Sequence, residues 1–501
     1  MDKEIELAKS RKESKMRSDR KRKEKQKQKN NGLYRTIAII YSILAVAFMV
    51  MLLWLNVLPA KILYPVVGLL FLITMFIVPV MYSKRGKRSR KKGATVFALI
   101  LIVLFGIGTY YINETLGFFN NITDVAKAKE DFYVVVKADS KYEEVSQLAG
   151  KTIATSSTTD KAYAEARNKL KKEINAQYEY IDNSSDMIQD LIQNKYSAAF
   201  ISAASYETMK EGNSSIATET RVIHTISVTK ESRRTTKHVD VTEESFNVLV
   251  SGLDTTGDIG TVSRSDVNML ITVNPVSHEV LLTSIPRDYY VPLASKNSGD
   301  KLTHSGLYGI DETVSTVEKF MGIDINYYVK VNYSTITKLV DAIGGIDIDS
   351  PYGFTTHGMS SHYTFVKGYN HLNGSMALAY SRERQSWPDG DFRRNENQQL
   401  IIQAIIKKAT GSTTVLTNYT DILESIEDNL STDMSSRNIK SLIKMQLKEM
   451  PKWTITKQAI KGDIALKHCY ALGTNASVVL PDDAMIAEAV DKIMQVKGSD
   501  E

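Results

Sequence analysis

The chain has one cysteine, Cys469, in 501 residues, so no disulfide can close within it and any folded part must be held by its cores alone. Cys469 reads as a small buried apolar side chain rather than a reactive thiol. The familiar catalytic spacings are missing as well. There is no G-x-x-x-x-G-K-[ST] for a nucleotide phosphate, no G-x-S-x-G, no H-E-x-x-H and no Cys/His metal spacing. The histidines at 278, 304, 357, 362 and 371 are scattered without ligand spacing, which suits structural or surface roles.

The formal net charge of +6 averages two unlike parts. Residues 1–33 carry 13 Lys/Arg against 6 Asp/Glu, and residues 83–93 add seven cations and no acid, whereas from residue 113 onward 41 Lys/Arg face 51 Asp/Glu. A basic tail on an otherwise acidic protein argues against a specific nucleic-acid binder. Such a lysine-rich tail, expected to lack fixed structure, is better suited to anionic lipid.

Three apolar segments divide the two parts: Tyr34–Val57, Ile62–Tyr82 and Ala94–Ile112. Each is long enough to cross about 30 Å of hydrocarbon as a helix, and Tyr110 and Tyr111 fall where an interfacial aromatic belt would lie. The first follows a long polar tail and lacks a small-residue cleavage site, so it reads as an anchor. The positive-inside rule puts residues 1–33 and 83–93 in the cytoplasm and everything after about residue 113 outside a plasma membrane.

The expected domains are therefore a basic cytoplasmic tail (1–33), three transmembrane helices (34–112), an accessory α/β domain (113–228), a linker (229–244) and a larger domain (245–501). In the accessory block FYVVVK, KTIATSS, YEYI and AAFIS are strands, and DKAYAEARNKLKKEI is an amphipathic helix. Its phrases faintly resemble half of an extracytoplasmic solute-binding protein, and a spacer or interaction role is the expectation. The linker TKESRRTTKHVDVTEE places Arg233, Arg234, Lys237 and His238 in solvent. In the last block strands at FNVLVSG, VNMLITVN, EVLLTSIP, INYYVKVN and IDID alternate with helical patterns. Alternation predicts an α/β/α sandwich, and the direct NPVSHE turn makes the central sheet mixed.

The chemistry gathers in this block. Tyr380–Gln399, YSRERQSWPDGDFRRNENQQ, sets Arg382, Arg384, Arg393 and Arg394 around Asp391. Guanidinium forks suit a pyrophosphate, although a solvated mixed-charge loop has the same composition. Arg394 and Gln398 fall at the start of a helix, whose amino end also favours phosphate. Asp254 ends the strand VLVSGLD and Asp266 follows twelve residues later, a pair that suits Mg²⁺ with phosphate oxygens. Turn or cap roles are the plainer alternative for such aspartates. The NPVSHE turn pairs positions whose numbers sum to about 553, which sets Asp266 opposite Arg287 at one edge of the sheet. A simple cross-strand ion pair has the same geometry.

NVLVSGLD, SRSDVNMLITVNP, LLTSIPRD, YYVKVNY, LVDAIGGIDI, LNGSMALAYSRER and GDFRRNENQQ together resemble the LytR–CpsA–Psr domain of Gram-positive bacteria, in the expected order across residues 245–399. The three-helix anchor with an accessory domain is similar to that of the family's streptococcal capsule-locus members. The resemblance implies a Mg²⁺-dependent phosphotransferase moving capsular polysaccharide from a polyprenyl-pyrophosphate carrier to peptidoglycan, with a pyrophosphatase side activity. It implies that Asp254 and Asp266 hold the metal and that Arg287, Arg382, Arg384 and Arg394 hold the pyrophosphate. Asp391 and Gln398 orient them, and a long apolar pocket takes the lipid. Asp254 and Asp391 are candidates for the base. Two positions depart from the pattern: Asn397 stands where many members have arginine, and Arg393 where glycine is usual. Competing readings are a regulator or assembly factor acting with other capsule-assembly proteins, and a carrier-binding module without turnover.

Overall fold

A computed structural model describes residues 2–83, 87–123, 128–158, 160–230, 236–253, 259–357, 362–411 and 419–498, in two units, 1–117 and 118–501. In the first unit the helices are Asp2–Leu55, Ala60–Tyr82 and Arg88–Thr123. Each contains a stretch long and apolar enough to span a membrane: 31–55, 60–82 and 88–119. The expectation of an unstructured basic tail is corrected here, since residues 2–33 are the first half of one continuous helix. The reason is local: Lys, Glu, Arg and Gln are good helix formers, and neither Gly nor Pro occurs between residues 2 and 31. The third helix also runs past the expected end at Ile112. Ala38, Ala45 and Ala98 let the spans approach closely around Tyr41, Met81 and Phe105.

The second unit begins with a five-stranded sheet in the order Gln177–Tyr180, Thr152–Thr155, Ala198–Ser202, Ala128–Lys137, Thr220–Lys230. Helices Lys161–Glu173, Ser184–Ile192 and Ala203–Gly212 pack on it, seating Ala166 and Leu170, then Ile188, Leu191 and Tyr206, against strand residues such as Phe132, Val135 and Phe200.

The linker differs from expectation. Thr229 and Lys230 belong to the last accessory strand. Lys237 pairs with Glu318 at 2.9 Å and Asp324 at 2.5 Å, and Val241 is buried against Phe246 and Tyr327. Its charge is therefore paired rather than simply solvated, because the segment lies along the larger domain. His238 is exposed as expected, while Arg233 and Arg234 lie outside the described residues.

The larger domain is an α/β/α sandwich around a six-stranded mixed sheet. Its strand order is Leu430–Thr432, Tyr327–Val331, Phe246–Leu253, Ser265–Asn274, Glu279–Ile285, Thr454–Ala459. Alternation along the strands divides the core, as a pleat requires. Leu249, Leu270 and Leu281 pack with Val314, Val317 and Ile493 of helices Ile310–Met321 and Asp483–Lys497. Val250, Met269 and Leu282 pack with Ile402 and Ile406 of helix Gly390–Gly411 on the other side. The central hairpin pairs Asn274 with Glu279 and Asn268 with Ile285, the register expected from its turn. IDID does not join this sheet. It forms a two-stranded ribbon, Ile346–Ser350 with Gly368–Leu372, over a second core containing Phe365 and Tyr380.

Candidate active site

The register of the central hairpin carries Asp266 and Arg287 to one end of the sheet, where Arg287 Nη1 lies 3.2 Å from Asp266 Oδ2. The other oxygen of Asp266 accepts from Thr303 Oγ1 at 2.7 Å. Across from this pair, helix Gly374–Arg382 ends at Arg382, Glu383 turns the chain, and helix Gly390–Gly411 begins at the glycine of WPDGD. The short loop brings Arg384 back towards Asp391 and Arg394. Asp391 Oδ1 is 3.2 Å from Arg394 Nη2, 3.7 Å from Arg384 Nη1 and 3.9 Å from Arg287 Nη2. One carboxylate thus holds three guanidiniums from two parts of the chain.

Asp266, Arg287, Arg384 and Arg394 form the rim of a cavity of about 170 Å³ that Arg382 and Gln398 also line. Its walls are apolar, with Val250, Val331, Ile336, Leu378 and Ile402 among them. Arg382 stacks over the ring of Tyr333, its Cζ 4.2 Å from the centroid. Burial, followed by the nearby charge of Arg287, holds the Arg394 guanidinium below its ordinary pKa, against the opposing pull of Asp391 and Asp266. Arg394 Nε is buried without a hydrogen-bond partner among the described residues. An anion with several oxygens would answer both facts, giving the orphan donor an acceptor and the crowded cations a counter-charge.

Of the residues singled out in the sequence, Asp266, Arg287, Arg382, Arg384, Arg394 and Gln398 line this one cavity, and Asp391 sits among its arginines. Asp254 lies outside the described residues; the strand leading to it ends at Leu253, which lines the cavity. Arg393 turns elsewhere. It bonds Tyr352 Oη at 2.9 Å and Glu396 Oε2 at 2.6 Å, with its guanidinium 4.5 Å from the Tyr352 ring centroid. Asn397 is buried and donates to Tyr380 O at 3.2 Å, joining the two helices that carry the arginines.

Sequence reasoning missed Thr303 and Tyr333. Tyr333 had a usable signal, since it follows the strand end Val331 at the edge where ligands collect. Thr303 had none, because a short 3₁₀ segment, Leu302–Tyr308, brings it in. Two expected structural histidines are seen as such: buried His304 bonds Asp300 at 2.6 Å, and exposed His371 bonds Asp347 at 2.7 Å.

Among the described residues no group of three or more His, Cys, Asp or Glu converges as a metal site. Asp266 offers one rim carboxylate, and Mg²⁺ accepts one or two carboxylates when phosphate and water supply the remaining oxygens. The donor set therefore fits that ion in company with a phosphate ligand.

Residues 199–490 match the LytR_cpsA_psr family model. A second match, over residues 121–239, is to a family described as ABC transporter, phosphonate, periplasmic substrate-binding protein. The polyisoprenyl-teichoic acid–peptidoglycan teichoic acid transferase TagU of Bacillus mycoides is 39% identical over 193 residues, which is 38% of this chain and 61% of that protein. The Enterococcus faecalis TagU is 38% identical over 203 residues, 40% of this chain and 65% of that protein. The matches thus span less than two thirds of these relatives. The crystal structure of B. subtilis TagV is similar at 28% identity over 52% of this chain and 99% of that one, with a TM-score of 0.44.

Proposed function

The chain belongs to the LytR–CpsA–Psr family, and from that premise we propose that it transfers a glycopolymer, capsular polysaccharide, from a polyprenyl-pyrophosphate carrier to peptidoglycan. The observation that carries this reading is the convergence of Arg287, Arg384 and Arg394 on Asp391 at the mouth of an apolar cavity. A charged, oxygen-rich head and an apolar tail are what such a site is shaped to hold. The apolar spans then keep the protein in the plasma membrane, with the tail cytoplasmic and the second unit outside, where carrier and wall meet.

An acceptor hydroxyl attacks the sugar-proximal phosphorus. A new oxygen–phosphorus bond forms, the bridging phosphoanhydride bond breaks, and the lipid leaves as its phosphate. Arg287, Arg384 and Arg394 neutralise charge developing on the bridging and non-bridging oxygens, the main form of help available to phosphoryl transfer. Asp391 orders these arginines before substrate arrives, and Thr303 with Arg287 fixes Asp266. Asp266 and Asp254 would hold Mg²⁺, which supplies Lewis-acid stabilisation of phosphate oxygens when bound. The acceptor proton goes to a carboxylate, Asp254 or Asp391. Pyrophosphate cleavage with water as acceptor would be the side reaction of the same centre.

The test uses the full chain in lipid nanodiscs with a polyprenyl-pyrophosphate-linked oligosaccharide and peptidoglycan fragments. Sugar transfer and lipid phosphate release should require Mg²⁺, stop with chelator, and fall sharply in Asp254→Ala, Asp266→Ala and Arg384→Ala. Tight carrier binding with no turnover under any condition would favour a carrier-binding module. Normal turnover after chelation would remove the metal from the scheme.

A further inference from the structure

A second and larger cavity, of about 990 Å³, opens between the accessory sheet and the larger domain, within the second unit. Its accessory wall is built from the amino ends of three helices. Asp160 caps Tyr163 N at 3.1 Å, Asn183 caps Ser185 N at 2.7 Å, and Ser202 caps Ser205 N at 3.3 Å. The opposite wall carries Ser295, Lys296, Tyr308, Glu312 and Tyr470. Glu312 is fixed by Ser295 N at 2.9 Å, and Lys296 Nζ lies 4.8 Å from the Tyr308 ring centroid. The walls are held together by the Arg264–Glu211 ion pair at 2.6 Å and by Gly473, whose missing side chain leaves room for Ser185.

The lining decides the ligand class. Six carboxylates face two lysines, so a phosphate or phosphonate meets net repulsion despite the helix amino ends. Nor are these carboxylates gathered as a metal site among the described residues. What remains is a wide cleft of serine and threonine hydroxyls and carboxylate acceptors, with the rings of Tyr163, Tyr308 and Tyr470. Hydroxyl donors with apolar C–H faces match both features, the first by hydrogen bonding to carboxylates and the second by packing on aromatic rings.

We propose that this cleft binds a short run of uncharged sugar residues, walled by the accessory domain on one side and the larger domain on the other. Its position joins it to the chemistry. Thr303, at one end of Leu302–Tyr308, bonds Asp266, while Leu307 and Tyr308 at the other end line the cleft. Five residues of 3₁₀ helix span about 10 Å, a few sugar units. Gly306 presses this segment onto the backbone of residues 263–265, beside Asp266, so its two ends are rigidly related. Whether the sugars belong to the transferred polymer or to the wall rests on the transferase reading. Sugar binding itself does not.

The test is calorimetry on the full chain in nanodiscs with two probe sets, N-acetylglucosamine oligomers of the wall type and neutral hexose oligosaccharides. At least one set should bind. Tyr308→Ala should weaken binding tenfold or more, as should the milder pair Glu165→Ala with Ser315→Ala, one on each wall, with unchanged melting temperature. Arg394→Ala should leave it unaltered. Binding of the first set alone assigns the cleft to the acceptor strand and of the second alone to the donor polymer; binding of both gives a general sugar cleft. Sugar binding in a protein without turnover would sink the transferase reading and leave this one standing. The proposal is overturned if neither set binds, if binding survives the cleft variants, or if inorganic phosphate or methylphosphonate occupies the cleft in place of sugar.

Discussion

Replacing Arg394 separates catalysis from stability. Its guanidinium and those of Arg287 and Arg384 each have a nitrogen within 4 Å of Asp391 Oδ1, so these nitrogens lie no more than about 8 Å apart. At an effective dielectric constant near 20, two unit charges at about 8 Å repel by roughly 2 kcal/mol, and Arg394 faces two such neighbours. The attraction to Asp391 at 3.2 Å is about 5 kcal/mol on the same scale before solvent screening, and the carboxylate is 47% exposed. Gain and cost nearly cancel, in keeping with a guanidinium held below its ordinary pKa chiefly by burial. Arg394→Met, which keeps the stem and removes the charge, should therefore change stability by no more than about 1 kcal/mol. Turnover should fall about 10²–10³-fold, or some 2.7–4 kcal/mol, the usual loss for one preorganised donor. The assay pairs lipid phosphate release with denaturant unfolding followed by tryptophan fluorescence. A strongly destabilised variant that still turns over at a tenth of the original rate would refute the reasoning, by making Arg394 a structural residue.

Three further outcomes follow from the packing. Buried Gln399 donates from Nε2 to Leu282 O at 3.2 Å and Gln458 O at 2.5 Å, bolting the arginine-bearing helix to the sheet; Gln399→Ala should cost about 1–3 kcal/mol in urea unfolding, and an unchanged midpoint would count against it. Arg393→Ala should lose the Tyr352 and Glu396 contacts and about 1 kcal/mol of stability, with kcat intact because the side chain points away from the cavity; a hundredfold loss of kcat would contradict this. Burial pushes the Cys469 thiol up to about 12, above its ordinary value of 9.0, so its contribution to stability is full below about pH 9 and is lost as the pH rises towards 12. At pH 8 Ellman's reagent should label it only on unfolding, and rapid labelling of the native protein would show the burial to be wrong.

Much of the architecture was legible because it rests on local periodicity. The apolar spans, the strand alternation and the NPVSHE turn each obey one short-range rule, and the turn alone was enough to bring Asp266 to Arg287. Elements without such a rule escaped. Thr454–Ala459, with polar Thr454, Thr456, Lys457 and Gln458, carries a weak apolar pattern, yet it completes the sheet by pairing in parallel with 279–285. IDID has a clean alternation, but alternation specifies a strand and not which sheet it enters. Lys237 looked like a linker charge because Glu318 and Asp324 are some eighty residues away in sequence.

Arg393 and Asn397 illustrate why residue type alone misjudges a cationic site. Arg393 raises the arginine count of the segment, but its place on helix 390–411 turns it towards Tyr352 and Glu396, where its charge is already matched. Asn397 is neutral, and its amide ties that helix to the carbonyl of Tyr380, two residues before Arg382. Arg393 is a cation outside the cavity, and Asn397 is a neutral brace between the helices that carry Arg382 and Arg394. The charge facing the cavity is consequently set by Arg287, Arg382, Arg384 and Arg394 against Asp266 and Asp391, a net positive rim among the described residues. An excess of fixed cations at a partly buried rim is unfavourable unless an anion joins them, so the resting site is poised to be completed by its ligand.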